Sequence, residues 1–326
     1  LRILRDGQLL DEPVAGLPEI FTKGQAGLLD VAPHPDFAQN RWLYLSYSKP
    51  LADDESTTAV IRGRFEDDEL KDVEEIFEAV SRGRGHYGCR LAFDGNGHLY
   101  LTVGDRQARP QGDLASHPAQ DLSNHHGVVV RINEDGSVPE DNPFVGSDNA
   151  RPETWSYGHR NAQGLVYDPV SAIVWITEHG PQGGDELNFI DPGANYGWPV
   201  IGYGVNYRTG SAIHAGTHQE GMRQPVKVWV PSIGTSGLAL YDGDAFPHWR
   251  GHLLAGGLSG QRLDLLQLEG VSVVREETVL RGVGRIRDVR VGPDGFVYLA
   301  IDDRNEEPTA ILRMEPVPRG EIKPYP

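Results

Sequence analysis

The chain has 326 residues and a formal net charge of −17, so it repels nucleic acid and anionic membrane surfaces, which bind proteins through lysine and arginine. Its 40 glycines and 23 prolines are spread through apolar stretches, as expected for many short strands joined by tight turns. The single cysteine, Cys89, excludes an intrachain disulfide and a cysteine zinc site. No run of 18 apolar residues predicts a membrane span, and no basic-then-apolar signal segment opens the sequence.

Five segments repeat one pattern along the chain. Each has a small residue, alternating apolar residues, a turn with Pro, Asp or Gly, and a second β-rich run; they cover residues 27–48, 88–105, 162–180, 236–260 and 286–303. Period-two alternation around such a turn predicts a β-hairpin. Further alternating runs at 59–66 and 127–136 extend the hairpins to four-stranded units. The recurrence predicts an all-β propeller, because a β-sandwich or jelly roll would not require the same hairpin in every unit.

Helical patterns are scarce in the sequence. Residues 71–80 (KDVEEIFEAV) have helical spacing, but they lie beside strands and are equally consistent with an acidic outer strand. No change of composition and no Ser/Gly linker divides the chain, so we expect one domain over residues 1–326. The functional loops of a propeller should lie at one end of its channel, where the inner hairpins begin and end.

A histidine and an aspartate flank the second hairpin. His86 precedes it and Asp105 follows it, and the two ends of an antiparallel hairpin lie side by side. Asp105 can therefore orient His86, whose imidazole has a pKa suited to accepting a hydroxyl proton. The alternative interpretation of His86 is an ordinary surface-loop histidine.

Two arginine-containing segments indicate recognition of an anion. Arg160 and Asn161 stand just before the third hairpin, where a guanidinium beside an amide suits carboxylate or quinone oxygens, although the pair can also cap loops. Arg285 and Arg287 alternate along a strand and so point to one face. Two like charges on one face favour a polyanionic ligand, with a structural ion pair to Asp288 as the alternative.

Residues 178–199 combine carboxylates with Gly and Pro turns. Glu178, Asp185 and Glu186 lie among turns that direct backbone carbonyls outward. Mixed carboxylate and carbonyl oxygens suit calcium better than zinc or copper, although the EF-hand spacing is absent. A solvated acidic turn is the alternative.

The segments GQAGLLDVAPHPDF, SYGHRNAQGL, EHGPQGGDELN, ANYGWP and GRIRDVRVGPDG resemble, in order and spacing, the soluble glucose and aldose sugar dehydrogenases that depend on pyrroloquinoline quinone (PQQ). The resemblance extends from about Leu1 to Pro316. It implies a six-bladed propeller with PQQ over the central channel. Family members usually open with one more hairpin, so we expect an incomplete N-terminal blade and five full inner hairpins.

The resemblance also implies roles for individual residues. His86 corresponds to the general base that takes the proton of the anomeric hydroxyl while the C1 hydride passes to the quinone, giving a lactone, and Asp105 corresponds to its orienting partner. The implied PQQ contacts are Gln25, Arg160, Asn161, Tyr207, Ser259, Arg285 and Arg287. Ser259 stands where family members commonly have a lysine. The implied calcium ligands are the backbone oxygens of Gly180 and Pro181 and, at a further site, Glu186 and the main chain of Tyr196.

Partners and location follow from the same resemblance. We expect aldose sugars as substrates, an external electron acceptor, no nucleic acid partner, no membrane insertion, and a monomer or weak homodimer. PQQ enzymes act outside the cytoplasm, so a periplasmic or secreted protein is expected. Two alternatives remain open at this point: a non-catalytic binding propeller of the same ancestry, and a calcium-dependent lactonase propeller.

Overall fold

A computed structural model describes residues 1–303 and 309–317 of the chain, and it is an all-β propeller. A two-stranded ribbon comes first, formed by β1 (Leu4–Arg5) and β2 (Gln8–Leu9). Five antiparallel sheets, the blades, follow in chain order within the described residues. In each blade, consecutive strands pair with one another, which is the meander expected of propeller blades.

The strands of the blades have the following bounds. Blade 1 contains β3 (Leu28–Pro33), β4 (Trp42–Pro50), β5 (Ser56–Glu66) and β6 (Glu69–Glu78). Blade 2 contains β7 (Gly88–Phe93), β8 (His98–Val103), β9 (Val128–Asn133) and β10 (Thr154–Tyr157). Blade 3 contains β11 (Ala162–Asp168), β12 (Ile173–Glu178), β13 (Asp185–Ile190) and β14 (Lys227–Trp229). Blade 4 contains β15 (Thr235–Leu240), β16 (Leu253–Gly257), β17 (Arg262–Glu269) and β18 (Ser272–Arg281), and blade 5 contains β19 (Arg285–Val291), β20 (Val297–Asp302) and β21 (Ile311–Met314).

The predicted propeller and its five inner hairpins are confirmed. Each repeated segment forms the first two strands of one blade: β3–β4, β7–β8, β11–β12, β15–β16 and β19–β20. The ambiguous segment 71–80 lies almost entirely in β6, so the outer-strand interpretation was the right one. The helical spacing there is overridden because Leu70 and Phe77 bury against the neighbouring strand while the acidic residues face solvent.

Helix content is small in the part of the chain that the structure describes. It comprises one helical turn, α1 (Phe37–Asn40), and short 3-10 turns at Ala52–Asp54, Leu114–Ser116, Pro118–Gln120 and Pro247–Trp249. Among residues 1–303 and 309–317, no helix has the length and apolar character needed to cross a membrane.

The hydrophobic core lies between blades. Tyr44 and Val60 of blade 1 pack against Leu99 and Leu101 of blade 2, and equivalent clusters join each later blade to the next. The N-terminal segment covers the other face of blade 1, where Val14 packs with the blade's own residues. Because strand residues alternate between faces, blades 2, 3 and 4 each supply apolar side chains to both neighbouring blades.

A charged network joins the inner strands across the channel. Arg90 on β7 contacts Asp288 on β19 at 2.9 Å and Asp30 on β3 at 3.5 Å. Arg290 on β19 contacts Asp30 at 2.5 Å and Asp288 at 3.0 Å. Two arginines and two aspartates therefore alternate between blades 1, 2 and 5, so each of these four charges has a partner of opposite sign.

Removing apolar volume between two blades tests the role of this packing. Leu254 is fully buried in the cluster between blades 4 and 5, so Leu254→Ala should lower the free energy of unfolding by about 2–5 kcal/mol. Leu9→Ala, at a residue that is 57% exposed, should change it by less than about 0.5 kcal/mol. Chemical denaturation of both variants measures the difference, and equal losses would contradict the inter-blade core.

Candidate active site

Each inner strand has an irregular register near its beginning. The shifts fall between Leu28 and Asp30, Gly88 and Leu91, Ala162 and Gly164, Thr235 and Leu238, and Ile286 and Asp288. A bulge turns a side chain away from the direction that strand alternation would give it. The residues within four of these bulges line one large cavity, namely Leu29, Arg90, Gln163 and Arg287.

This cavity has a volume of about 1340 Å³, and the loops that flank the inner hairpins form its wall. Its described lining carries one carboxylate, that of Asp105, and six arginines: Arg90, Arg109, Arg160, Arg208, Arg285 and Arg287. The whole chain has a net charge of −17, so positive charge is concentrated here against the overall balance. Such a cavity attracts an anionic ligand.

His86 is held by its backbone and by its ring. Its φ of 45° lies in the left-handed region, which few residues other than glycine adopt. The backbone N–H of His86 donates to Gln25 Oε1 at 2.8 Å, and Arg106 Nη1 donates to the His86 carbonyl at 3.4 Å. His86 Nδ1 donates to Asp105 Oδ1 at 2.5 Å. With Nδ1 as the donor, Nε2 carries the lone pair.

Asp105 is almost wholly buried, with 1% of its surface exposed. Oδ1 also accepts from the backbone N–H of Gln107 at 2.9 Å, and Oδ2 accepts from Trp198 Nε1 at 2.8 Å. Burial alone would raise the pKa of Asp105, but the hydrogen bond from His86 and the charge of Arg160 outweigh it and lower that pKa.

The pKa of His86 is lowered from its ordinary value of 6.5, chiefly by burial and then by the positive charges of Arg160 and Arg106. Asp105 works in the opposite direction, but it does not reverse the shift. The imidazole is therefore neutral at neutral pH, with Nδ1 bound to a carboxylate. A neutral, oriented imidazole can accept a proton through Nε2.

Arg160 and Asn161 are brought to the same site from the turn before β11. Arg160 Nη1 donates to the carbonyl of His179 at 3.1 Å, while Arg160 Nε is buried without a partner in the described structure. Asn161 Oδ1 accepts from the backbone N–H of Gly88 at 3.2 Å. Asn161 therefore links blades 2 and 3, and Arg160 keeps an unused donor.

Arg285 and Arg287 point to one face, but their acidic partner is not Asp288. Arg285 Nε donates to Asp302 Oδ2 at 3.2 Å, and Arg287 Nη2 donates to the same oxygen at 2.7 Å. The alternative of an ion pair with Asp288 was wrong, because the bulge in β19 turns Asp288 toward Arg90 and Arg290. The two arginines therefore share the Asp302 carboxylate, so these three described side chains together carry a net positive charge.

The remaining predicted PQQ contacts differ in position. Gln25 lines the large cavity and holds the backbone of His86. Tyr207 also lines the cavity, is 63% exposed, and donates from its hydroxyl to the Gly180 carbonyl at 3.4 Å. Ser259 is exposed and lies outside the cavity lining, where Leu258 takes its place.

The four predicted calcium-ligand residues all border a second, much smaller cavity. Gly180, Pro181, Glu186 and Tyr196 line a space of about 20 Å³, which is room for one water-sized species. Pro181 also lines the large cavity, so the two spaces are adjacent. Within the described residues, no group of three or more His, Cys, Asp and Glu side chains is placed to hold a metal ion.

Two carboxylates face each other beside the small cavity. Glu178 and Glu186 are directly opposite on β12 and β13, and Asn188 Nδ2 donates to Glu178 Oε1 at 3.1 Å and to Glu186 Oε2 at 3.2 Å. Burial, followed by the charge of Glu178, raises the pKa of Glu186 well above its ordinary value. The side-chain oxygen of Asn188 is buried without a partner in the described structure. These oxygens fit a small cation, which would relieve the repulsion between the carboxylates.

Sequence reasoning missed Trp198 as a contributor to the site, and it named Glu178 only within a group of carboxylates. Trp198, in the motif ANYGWP, donates to Asp105, and Glu178 opposes Glu186. The signal for Glu178 was present, since the carboxylates of residues 178–199 were already grouped together. No sequence signal indicated the contact between Trp198 and Asp105, because the two residues are 93 positions apart.

Comparisons with known proteins place the chain among sugar dehydrogenases. The family model for "Glucose / Sorbosone dehydrogenase" matches residues 1–313. The aldose sugar dehydrogenase YliI of Escherichia coli is 40% identical, over 97% of this chain and 84% of its own length. A glucose dehydrogenase crystal structure is 44% identical, with a TM-score of 0.87 over 93% of this chain and 87% of its own.

A further structural relative was solved with a cofactor. The PQQ-bound form of the aldose sugar dehydrogenase of Streptomyces coelicolor is 28% identical, with a TM-score of 0.72 over 93% of this chain and 83% of that one. The family match extends over nearly the whole chain, and it agrees with the resemblance drawn from the sequence motifs. The chain belongs to the glucose/sorbosone dehydrogenase family.

Proposed function

We propose that this protein is a PQQ-dependent aldose sugar dehydrogenase that oxidises C1 of an aldose to the lactone, with His86 as the general base. The observation that carries the proposal is the cationic cavity beside an oriented, neutral imidazole. Two relatives, the aldose sugar dehydrogenase of Escherichia coli and the PQQ-bound aldose sugar dehydrogenase of Streptomyces coelicolor, support the same chemistry.

The cavity residues fit a tricarboxylate quinone. Arg285 and Arg287 share one carboxylate, and Arg160 has a buried Nε without a partner in the described structure. Guanidinium groups bind carboxylates through paired, charge-assisted hydrogen bonds, so these arginines would hold the cofactor. Gln25, Asn161 and Tyr207 border the same space and would complete its wall. Bound PQQ supplies the acceptor for the hydride that leaves C1 of the sugar.

His86 would take the hydroxyl proton of the sugar through Nε2. Asp105 holds the proton on Nδ1 and therefore fixes the tautomer in which Nε2 is the acceptor. When His86 becomes positively charged, the buried carboxylate of Asp105 stabilises that charge across 2.5 Å. Burial keeps the imidazole neutral before the reaction, so it is available as a base.

The small cavity and the backbone beside it would hold calcium. Gly180 lines the small cavity and Pro181 lines both cavities, and their backbone oxygens are the ligands proposed for a calcium ion that would act as a Lewis acid at the quinone. Glu186 and the main chain of Tyr196 would serve a further calcium ion. The opposed carboxylates and the unpartnered oxygen of Asn188 support that assignment.

Partners and location form part of the same proposal. An external acceptor would reoxidise the cofactor after each turnover, and a periplasmic or secreted location suits PQQ chemistry. The net charge of −17 supports a protein that does not bind nucleic acid. A monomer or weak homodimer remains the expected oligomeric state.

Replacing the base should separate chemistry from binding. After reconstitution with PQQ and calcium, His86→Ala should lower kcat for aldoses by about 10²–10⁴-fold, while PQQ affinity changes little. Activity followed by dye reduction gives kcat, and PQQ titration gives affinity. His248→Ala, at an exposed histidine, is the matched control and should keep full activity. Retention of full activity in His86→Ala would rule out the base assignment.

The pH dependence of kcat/KM in the wild-type protein is a second test of His86. A base must be neutral, so kcat/KM should rise with pH through the pKa of His86 and then level off. Because that pKa is lowered from 6.5, the midpoint of the rise should lie below pH 6.5. A midpoint above pH 6.5 would contradict the burial-dominated environment described for His86.

The arginines that line the large cavity are predicted to bind the cofactor. Arg287→Ala should weaken PQQ binding by about 10- to 100-fold, because a hydrogen bond to a charged group is lost. Arg275→Ala removes an arginine that is paired with Glu277 on the outer strand of blade 4, and it should leave the affinity unchanged. Fluorescence titration with PQQ measures both. Equal PQQ affinities for the two variants would contradict the role of Arg287 in cofactor binding.

Calcium should stabilise the protein through the small cavity. Adding calcium well above its Kd should raise Tm, and Glu186→Gln should remove most of that increase, because a ligand charge is lost. Glu277→Gln, at an exposed glutamate of β18, should respond to calcium as the wild type does. Thermal denaturation with calcium and with chelator tests the site, and an undiminished increase in Glu186→Gln would contradict it.

A further inference from the structure

The indole of Trp198 lies where three parts of the site meet. Its Nε1 donates to Asp105 Oδ2 at 2.8 Å, on the side of the carboxylate opposite His86. The guanidinium carbon of Arg160 lies 5.2 Å from the centre of the Trp198 ring. Trp198 also lines both the large and the small cavity, so it forms part of the partition between them.

The backbone of Trp198 is fixed independently of its ring. Its N–H donates to the Gly158 carbonyl at 2.8 Å, and its own carbonyl accepts from Gln120 Nε2 at 2.7 Å. The rings of His117 and His214 contact the indole edge-on, with centroids 6.1 and 5.5 Å away. These contacts hold the indole in one orientation, with its N–H directed at Asp105.

We propose that Trp198 is a positioning residue for the reaction: its indole N–H fixes the Asp105 carboxylate that orients His86, while its face holds the guanidinium of Arg160. The inference rests on the proposed function for its kinetic consequences. Its structural consequence, the orientation and protonation of the His86–Asp105 pair, is open to measurement without cofactor or sugar.

The physical reason lies in the two oxygens of one buried carboxylate. Oδ1 accepts hydrogen bonds from His86 Nδ1 and the Gln107 N–H, whereas Oδ2 accepts one from the indole N–H. Without the indole donor, Oδ2 of Asp105 would be buried without that partner, and the carboxylate would be held through Oδ1 alone. The direction of the imidazole would then be fixed less tightly, and proton transfer depends on that direction.

The same bond influences the charge on His86. The positive end of the indole N–H dipole lies against Asp105. It therefore weakens the electrostatic stabilisation that the carboxylate gives to a protonated His86. Removing it should raise the pKa of His86. The other charged or titratable groups around the pair are Arg106, Arg160, His126 and His179, and Trp198→Phe leaves all of them in place.

The experiment compares two Trp→Phe variants. Trp198→Phe keeps an aromatic ring but removes the N–H, whereas Trp175→Phe removes an N–H that is buried without a partner in the described structure. In protein without cofactor, NMR titration of labelled histidines, with His86 assigned from His86→Ala, should show the His86 pKa about one unit higher in Trp198→Phe. Trp175→Phe should titrate like the wild type.

The kinetic arm uses the reconstituted enzyme. Trp198→Phe should lower kcat by about 10- to 100-fold and move the midpoint of the kcat/KM profile upward, as the titration does. In an Asp105→Ala background, Trp198→Phe should have little further effect on kcat, because the two residues act through one hydrogen bond. An unchanged His86 titration, or an equal loss of kcat in both backgrounds, would overturn the inference. Loss of sugar oxidation in the wild type itself would instead contradict the proposed function and leave the titration result valid.

Discussion

The site depends on the convergence of inner strands from separate blades around one channel. Residues that are distant in sequence, such as Asp30 and Arg290, come within 2.5 Å because their strands line the same centre. The network of Asp30, Arg90, Asp288 and Arg290 ties blades 1, 2 and 5 together, and Arg90 also lines the cavity. Without that convergence, Arg160, Arg287 and His86 would belong to unrelated loops and could not contact one small molecule.

The arginines that line the cavity differ in whether their charge is neutralised within the protein or available to a ligand. Arg90 is neutralised by aspartates, so it contributes to the ring and little to ligand binding. Arg285 and Arg287 have one shared carboxylate, and Arg160 has a donor without a partner in the described residues. In an acidic protein, this excess of positive charge in one cavity suits a polyanionic ligand. The neutral imidazole beside the cavity adds a proton acceptor to that site.

Much of the architecture and part of the site were predictable from local pattern. The five hairpins follow from period-two alternation and turn residues, which are properties of short segments. The neighbouring positions of His86 and Asp105 follow from hairpin geometry, since β7 and β8 pair from Phe93 with Leu99 back to Gly88 with Val103, next to the two residues. The family resemblance then predicted a common ligand for several of the remaining polar residues.

The rest depends on packing between distant segments. The bulge in β19 decides that Asp302, and not Asp288, accepts from Arg285 and Arg287, and strand alternation does not reveal a bulge. The opposition of Glu178 and Glu186 depends on the register between β12 and β13, which the intervening loop sets. The position of Ser259 outside the cavity and the contact of Trp198 with Asp105 depend on loop conformations. Such conformations are determined by tertiary contacts that local sequence does not encode.

The most direct test of the account is a crystal structure of the protein grown with PQQ and calcium. The account predicts the quinone in the large cavity, with its carboxylates within hydrogen-bonding distance of Arg160 and of the pair Arg285 and Arg287, and with His86 Nε2 facing the space left for the sugar. Quinone bound elsewhere, or a cavity that contains no quinone at saturating PQQ, would contradict it.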